Sequence, residues 1–267
     1  MWQQRSKAHW LKNGDINSKF FHNKASQRFR RNRILGLEES RGIMCMGDDK
    51  VEGILEEYYQ HLFTSSNPCG VEEVTQYTHR VVTEEMNKEL IGDFTCAEVE
   101  LALCQMAPLK ASGLDGMPPI FYQHYWPSIG DDVTEVVLAY LHVDTIHSGL
   151  NHTYLTLIPK VKSPVKVLDF RPIALCNILY TIISKVLANR LKIILPNISY
   201  EFQSASQTDK AISDNILVAF ETLHHLKTKK IGKIGFMAMK LDMSKAYDRV
   251  EWHFLMNIKE WMGFHEK

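Results

Sequence analysis

The sequence predicts an α+β fold whose N-terminal half is mostly helical. Three patterns predict it. Apolar residues recur every three or four positions between 175 and 194, as on one face of a long helix. Residues 153–160, TYLTLIPK, read as a strand that turns through VKSPVKV towards a second strand near 168–172. Residues 234–241, IGFMAMKL, read as a buried strand, and a helix over 245–262 follows.

The other elements follow in order. Residues 6–33 read as helix with a break at Asn13-Gly14, and 34–48 as a hairpin turning at Arg41-Gly42. Val51, Ile54, Leu55, Tyr58, Tyr59 and Leu62 have helical spacing over 49–63, and TSSNPCG (64–70) is a loop. Thr83 starts a short helix. Thr95 caps another, because TCAE places Glu98 where a capping box needs it. APLKASGLDGMPP (107–119) is a Pro/Gly-rich loop, and helices are expected over 119–125 and 130–147. The long helix is expected to end at Pro196, and Ser213 or Asp214 to cap the next one.

At 267 residues the chain can bury a substantial core. No apolar run approaches the roughly 18 residues of a membrane span. The N-terminus lacks the apolar core of a signal peptide, so an intracellular protein is expected. The five cysteines form no CxxC pair and the twelve histidines no HExxH pattern, which gives no sign of a disulfide framework or zinc site.

A net charge of zero hides an asymmetry. Residues 1–33 hold nine basic side chains against one acid, Asp15, a net +8 balanced by −8 elsewhere. A basic arm on an acidic body points to a polyanion partner. Trp2, Trp10, Phe20, Phe21 and Phe29 are interleaved with the charges. They either stack on unpaired bases or pack inward from an amphipathic helix.

Four positions fit nucleotide-adding chemistry, which must neutralise a triphosphate, hold two magnesium ions and align a hydroxyl. Lys160 ends a strand and Arg171 begins the return strand, so the hairpin can set two cations over a phosphate chain. Asp242 offers a hard oxygen ligand at a strand end. Tyr247 can press a ring against a sugar. Each also has a plain reading: solvated hairpin charges, a helix-start acid, and a core tyrosine beside Val250, Phe254 and Leu255.

Ordered motifs then decide between these. WLKNGDINSKFFH (10–22), RRNRILGLE (30–38), YYQHLFTSSNP (58–68), KASGLDGMP (110–118), LNHTYLTLIPKV (150–161), DFRPIALCNILYTIISKVLANRLK (169–192), SDNILVAFE (213–221) and KLDMSKAYDRVEW (240–252) closely resemble the reverse transcriptase of plant LINE-type (non-LTR) retrotransposons. The resemblance implies a right-hand polymerase fold, with fingers and part of the palm, truncated before the second catalytic palm motif. Residues 1–149 would be N-terminal extension and fingers, and 150–267 fingers and early palm. By the same resemblance Asp242 is catalytic and a magnesium ligand, and Tyr247 gates the ribose 2′-hydroxyl. Lys160 and Arg171 are similar to basic fingers residues that face the triphosphate. Arg28, Arg30, Arg31, Arg33 and Lys110 are the candidate nucleic-acid contacts. The implied partners are an RNA template, a DNA primer and deoxynucleoside triphosphates, without a membrane.

Two stretches depart from the family. QSASQTDK (203–210) stands where the family reads QSAFVPGR, which removes a Pro-Gly turn, and KASGLDG stands where it reads KAPGPDG, which removes two loop-stiffening prolines. An aromatic-Ala-Asp-Asp turn is not found: Asp48-Asp49 and Asp131-Asp132 are the only Asp pairs, and both read as exposed helix-start acids. The chain by itself is therefore expected to be inactive. A non-catalytic RNA-binding module and a non-functional retroelement relic are the alternatives.

Overall fold

The computed structural model describes residues 19–39, 41–143, 146–200, 202–204, 210–229 and 236–266. The chain divides into two compact units, each built from two stretches. Met1–Thr64 and Phe94–Val186 form unit 1, and Ser65–Asp93 and Leu187–Lys267 form unit 2.

Unit 1 opens with α1 (Lys19–Asn32) and an antiparallel hairpin of β1 (Gly36–Glu38) and β2 (Met44–Met46). The turn falls at Arg41-Gly42 as expected, with Gly42 N–H donating to Glu39 O at 2.8 Å. Helix α2 (Asp48–Phe63) lays Val51 and Tyr59 beside Leu37, and Val167 and Phe170 complete this small core. The larger core lies between three helices: α5 (Cys96–Cys104), α6 (Pro119–His142) and the first half of α8 (Ile178–Ile198). Val99 and Leu103, Val133 and Val137, and Ile178 and Ile182 meet there, each pair at the three- or four-residue spacing of one helix face. The capping box at Thr95 is formed: Thr95 N–H donates to Glu98 Oε2 at 2.8 Å, and Glu98 N–H to Thr95 Oγ1 at 3.4 Å. A short helix, α7 (Ser148–Asn151), leads into β3 (Tyr154–Pro159), which pairs antiparallel with β4 (Phe170–Leu175).

Unit 2 holds α3 (Val71–Thr75), α4 (Glu84–Ile91), the second half of α8, α9 (Ile212–Thr228) and α10 (Trp252–Met262). Thr83 caps α4, its hydroxyl accepting from Met86 N–H at 3.3 Å. Two long-range locks hold α10. Val81 and Val82 N–H donate to Met262 O at 3.0 and 2.9 Å. Asn87 donates to Gly263 O at 2.8 Å and accepts from His265 N–H at 3.0 Å. Gly263 caps α10 with a left-handed φ of 93°, and a Cβ there would lie 2.8 Å from Arg80 Cγ.

Several expectations are corrected. Helix α6 is continuous through Pro127 rather than two helices. Tyr122 before the proline and Val133 after it enter the same core, so burial offsets the roughly 3 kcal/mol a helix-interior proline costs. Asp131 and Asp132 accordingly sit on the exposed middle of α6, not at a helix start. Helix α8 runs past Pro196 to Ile198. The cap of α9 is Ala211, whose N–H donates to Asp214 Oδ2 at 3.1 Å, so Asp214 reaches back from the first turn. The strand expected over 234–241 is absent in its described part: 236–243 is irregular and exposed. A strand exists only with a partner for its backbone groups, and among the described residues β3 and β4 pair only with each other. The helix expected from 245 is replaced by a turn, because Lys245 takes a left-handed φ of 56°, and regular helix begins at Trp252. Residues 6–18, Trp2, Trp10 and the altered positions 206–209 lie outside the described residues.

Arg190 explains the end of α4. It is only 9% exposed, and its guanidinium donates to Leu90 O at 2.9 Å, Asp93 O at 2.7 Å and Gly92 O. These are the unsatisfied carbonyls at a helix C-terminus, where a cation also meets the favourable end of the dipole. Arg190→Ala should destabilise the protein by about 3 kcal/mol in urea unfolding, since charged hydrogen bonds are lost and half-buried carbonyls lose their donor. Arg190→Lys, which keeps a charge but not the fork, should recover only part of that.

Candidate nucleotide and nucleic-acid site

In unit 1 the β3–β4 ladder sorts its side chains by period two. Ile158 pairs with Arg171, and both are exposed. The next pair, Pro159 and Phe170, faces the other way, and Phe170 is 1% exposed within the small core. Lys160 leaves the strand one residue later, exposed, its N–H donating to Asp169 O at 2.7 Å. Its ammonium donates to Leu168 O at 3.0 Å across the turn. The two cations thus share the solvent side of one hairpin end. Asp169 staples that turn: its carboxylate accepts from Lys166 N–H at 2.9 Å and Val165 N–H at 3.0 Å. Those backbone donors, with the charges of Lys166 and Lys160, hold its carboxyl below the usual aspartate range.

Helix α1 carries Lys19, Lys24, Arg28, Arg30 and Arg31 and no acid. Arg28, Arg30 and Arg31 are exposed, and Phe29 between them is 74% exposed, so Phe29 does not pack inward. Arg33 follows the helix and pairs with Asp48 at 3.6 Å. Lys110 is exposed in the 107–118 loop, its N–H donating to Ala107 O at 3.0 Å.

In unit 2 Asp242 and Tyr247 lie on one irregular segment. Asp242 is exposed. Tyr247 is 95% exposed on a short 3-10 turn (Tyr247–Arg249), which excludes the core role beside Val250, Phe254 and Leu255. Among the described residues no three His, Cys, Asp or Glu side chains come together as a metal site. Asp242 is a suitable single oxygen donor for magnesium, but the described arrangement does not fit a two-metal centre.

Glu251 was not singled out by sequence, yet it anchors this segment. Its Oε2 accepts from Ser65 Oγ at 2.6 Å, and its Oε1 from Ser66 N–H and Ser66 Oγ, both at 3.0 Å. This joins the TSSNP loop to the KLDMSKAYDRVEW stretch across 185 residues. In sequence Glu251 shows only as an acid before a helix.

With this geometry in place, residues 158–267 match the family model described as reverse transcriptase (RNA-dependent DNA polymerase). That stretch, about two fifths of the chain, is therefore similar to the reverse transcriptase family. Lys160, Arg171, Asp242 and Tyr247 all fall within the matched segment, whereas the cations of α1 and Lys110 precede it. Over 262 residues the chain is also 26% identical to the Transposon TX1 uncharacterized 149 kDa protein of Xenopus laevis. That alignment takes in 97% of this chain and 20% of the relative, so the chain spans about a fifth of that protein. Among the described residues no helix is long and apolar enough to cross a membrane.

The hydroxyl and amide donors of Ser65 and Ser66 hold the Glu251 carboxyl below its ordinary value of 4.5. A carboxyl lowered on folding stabilises the fold above the unfolded value and loses that contribution as pH falls through the folded one. Thermal melts should therefore show the difference between the parent and Glu251→Gln shrinking as pH drops below about 4.5. A difference independent of pH across that window would refute the anchor.

Proposed function

We propose that this chain is the nucleotide- and template-gripping part of a reverse transcriptase from a LINE-type (non-LTR) retrotransposon. The observation that carries the reading is the shared solvent face of Lys160 and Arg171 on the β3–β4 hairpin, inside the matched segment. A flat guanidinium and an ammonium on one face suit the triphosphate of an incoming deoxynucleotide. Residues 1–149 then serve as N-terminal extension and fingers, and 150–267 as fingers and early palm of a right-hand fold.

In this reading the exposed Tyr247 meets the sugar and discriminates against a 2′-hydroxyl. Asp242 is the catalytic carboxylate and the magnesium ligand. Bound magnesium would supply charge neutralisation at the phosphates. The described residues gather no further ligands around Asp242. Arg28, Arg30, Arg31, Arg33 and Lys110 hold the phosphates of an RNA template or its DNA primer.

A second reading, a non-catalytic RNA-binding module, is favoured by α1, which has five cations, no acid and an exposed phenylalanine. The two readings separate in one set of assays on the full chain. Both expect RNA binding that weakens steeply with salt. Replacing Arg28, Arg30, Arg31 and Arg33 by Ala should lower the salt slope by about three, at roughly 0.7 per phosphate contact on a single strand. Only the polymerase reading expects deoxynucleoside triphosphate binding that Lys160→Ala and Arg171→Ala weaken and that Tyr247→Ala alters between ribo and deoxyribo forms. Extension of a primed RNA template is not expected from this chain by itself. Extension abolished by Asp242→Asn would overturn that expectation and establish the chain as an enzyme.

A further inference from the structure

Asn177 stands where three parts of unit 1 meet. It follows β4 by two residues, immediately before α8, and is 7% exposed. Its Nδ2 donates to Gly149 O and Leu150 O, both at 3.3 Å, on the approach to β3. Its Oδ1 accepts from Asp115 N–H at 3.4 Å in the 107–118 loop. The contact with that loop is close: a Cβ on Gly113 would lie 2.5 Å from both Asn177 N and Cys176 C. Beyond the contact the loop closes on itself, with Met117 N–H donating to Asp115 Oδ1 at 3.2 Å and Gly116 N–H to Gly113 O at 3.3 Å.

Only a carboxamide can do this. The site needs two donors towards carbonyls and one acceptor towards an amide; aspartate lacks the donors and leucine lacks both. We infer that Asn177 is a positioning residue that sets the loop carrying Lys110 against the open end of the β3–β4 hairpin, so that Lys110 meets a nucleic-acid phosphate from a fixed place. This rests on the reading of Lys110 as a phosphate contact. It adds that the contact is set from 67 positions away by a residue that itself touches no nucleic acid.

The test uses the full chain and a labelled oligouridylate, with binding followed against salt. Lys110→Ala should lower the salt slope by about 0.7, as the loss of one phosphate contact to a single strand does. Asn177→Ala should lower it by the same amount, and the double variant no further. Gly113→Ala displaces the loop from the other side of the contact and should reproduce this, which serves where Asn177→Ala loses its cooperative thermal transition. A merely structural Asn177 would lower the melting temperature without touching the slope, or add to Lys110→Ala, and either result overturns the inference. If Lys110→Ala leaves the slope unchanged, the reading of Lys110 falls by itself. Anchoring is then decided by amide hydrogen exchange over 113–116: faster exchange in Asn177→Ala upholds it, and unchanged exchange overturns it.

Discussion

Burial of Ile178 and Ile182, both 0% exposed, is the interaction on which unit 1 depends. These side chains pin the start of α8 against α5 and α6, and truncating either to alanine costs on the order of 2–5 kcal/mol. Asn177 is the residue before that pin. Its backbone O accepts from Thr181 N–H at 3.0 Å, so the junction is part of the helix entrance itself. The exit of β4, the docking of the 107–118 loop and the solvent face of the hairpin are all referred to this one fixed point. The apolar core thereby positions the polar groups.

What the sequence made legible was local chemistry. The Thr95 box, the Thr83 cap and the hairpin turning at Gly42 each depend on residues a few positions apart, and each is found as read. The pairing of TYLTLIPK with its return strand is also found. The errors share one cause. The break read between 125 and 130 and the stop read at Pro196 give way to continuous helix, as tertiary packing overrides the local rule. IGFMAMKL looked like a strand, but a strand is a property of two segments and composition describes only one. Glu251, Arg190 and Asn177 could not be found by pattern, because their partners lie 185, 97 and 62 residues away.

Charge is distributed to match the division of labour. Helix α1 presents cations with no acid of its own, whereas Arg33 is paired with Asp48 in an exposed bridge worth at most about 1 kcal/mol. The hairpin turn keeps a carboxylate, Asp169, but spends it on backbone amides rather than on Arg171. Unit 2 uses its buried cation in the opposite way, on the bare carbonyls of a helix end. The exposed cations of α1 and the buried cation spent on backbone carbonyls thus lie in different stretches of the chain.

Gly113 has a genetic consequence. Every missense change open to a glycine codon adds at least a Cβ, and here even a methyl group meets backbone atoms at 2.5 Å. On either side, Ser112 and Leu114 stand where the family resemblance expects prolines. Drift in this loop is therefore graded by geometry at the scale of single codons. A survey of diverging copies would meet change at 112 and 114 first, with glycine at 113 persisting as long as the fold itself is under selection.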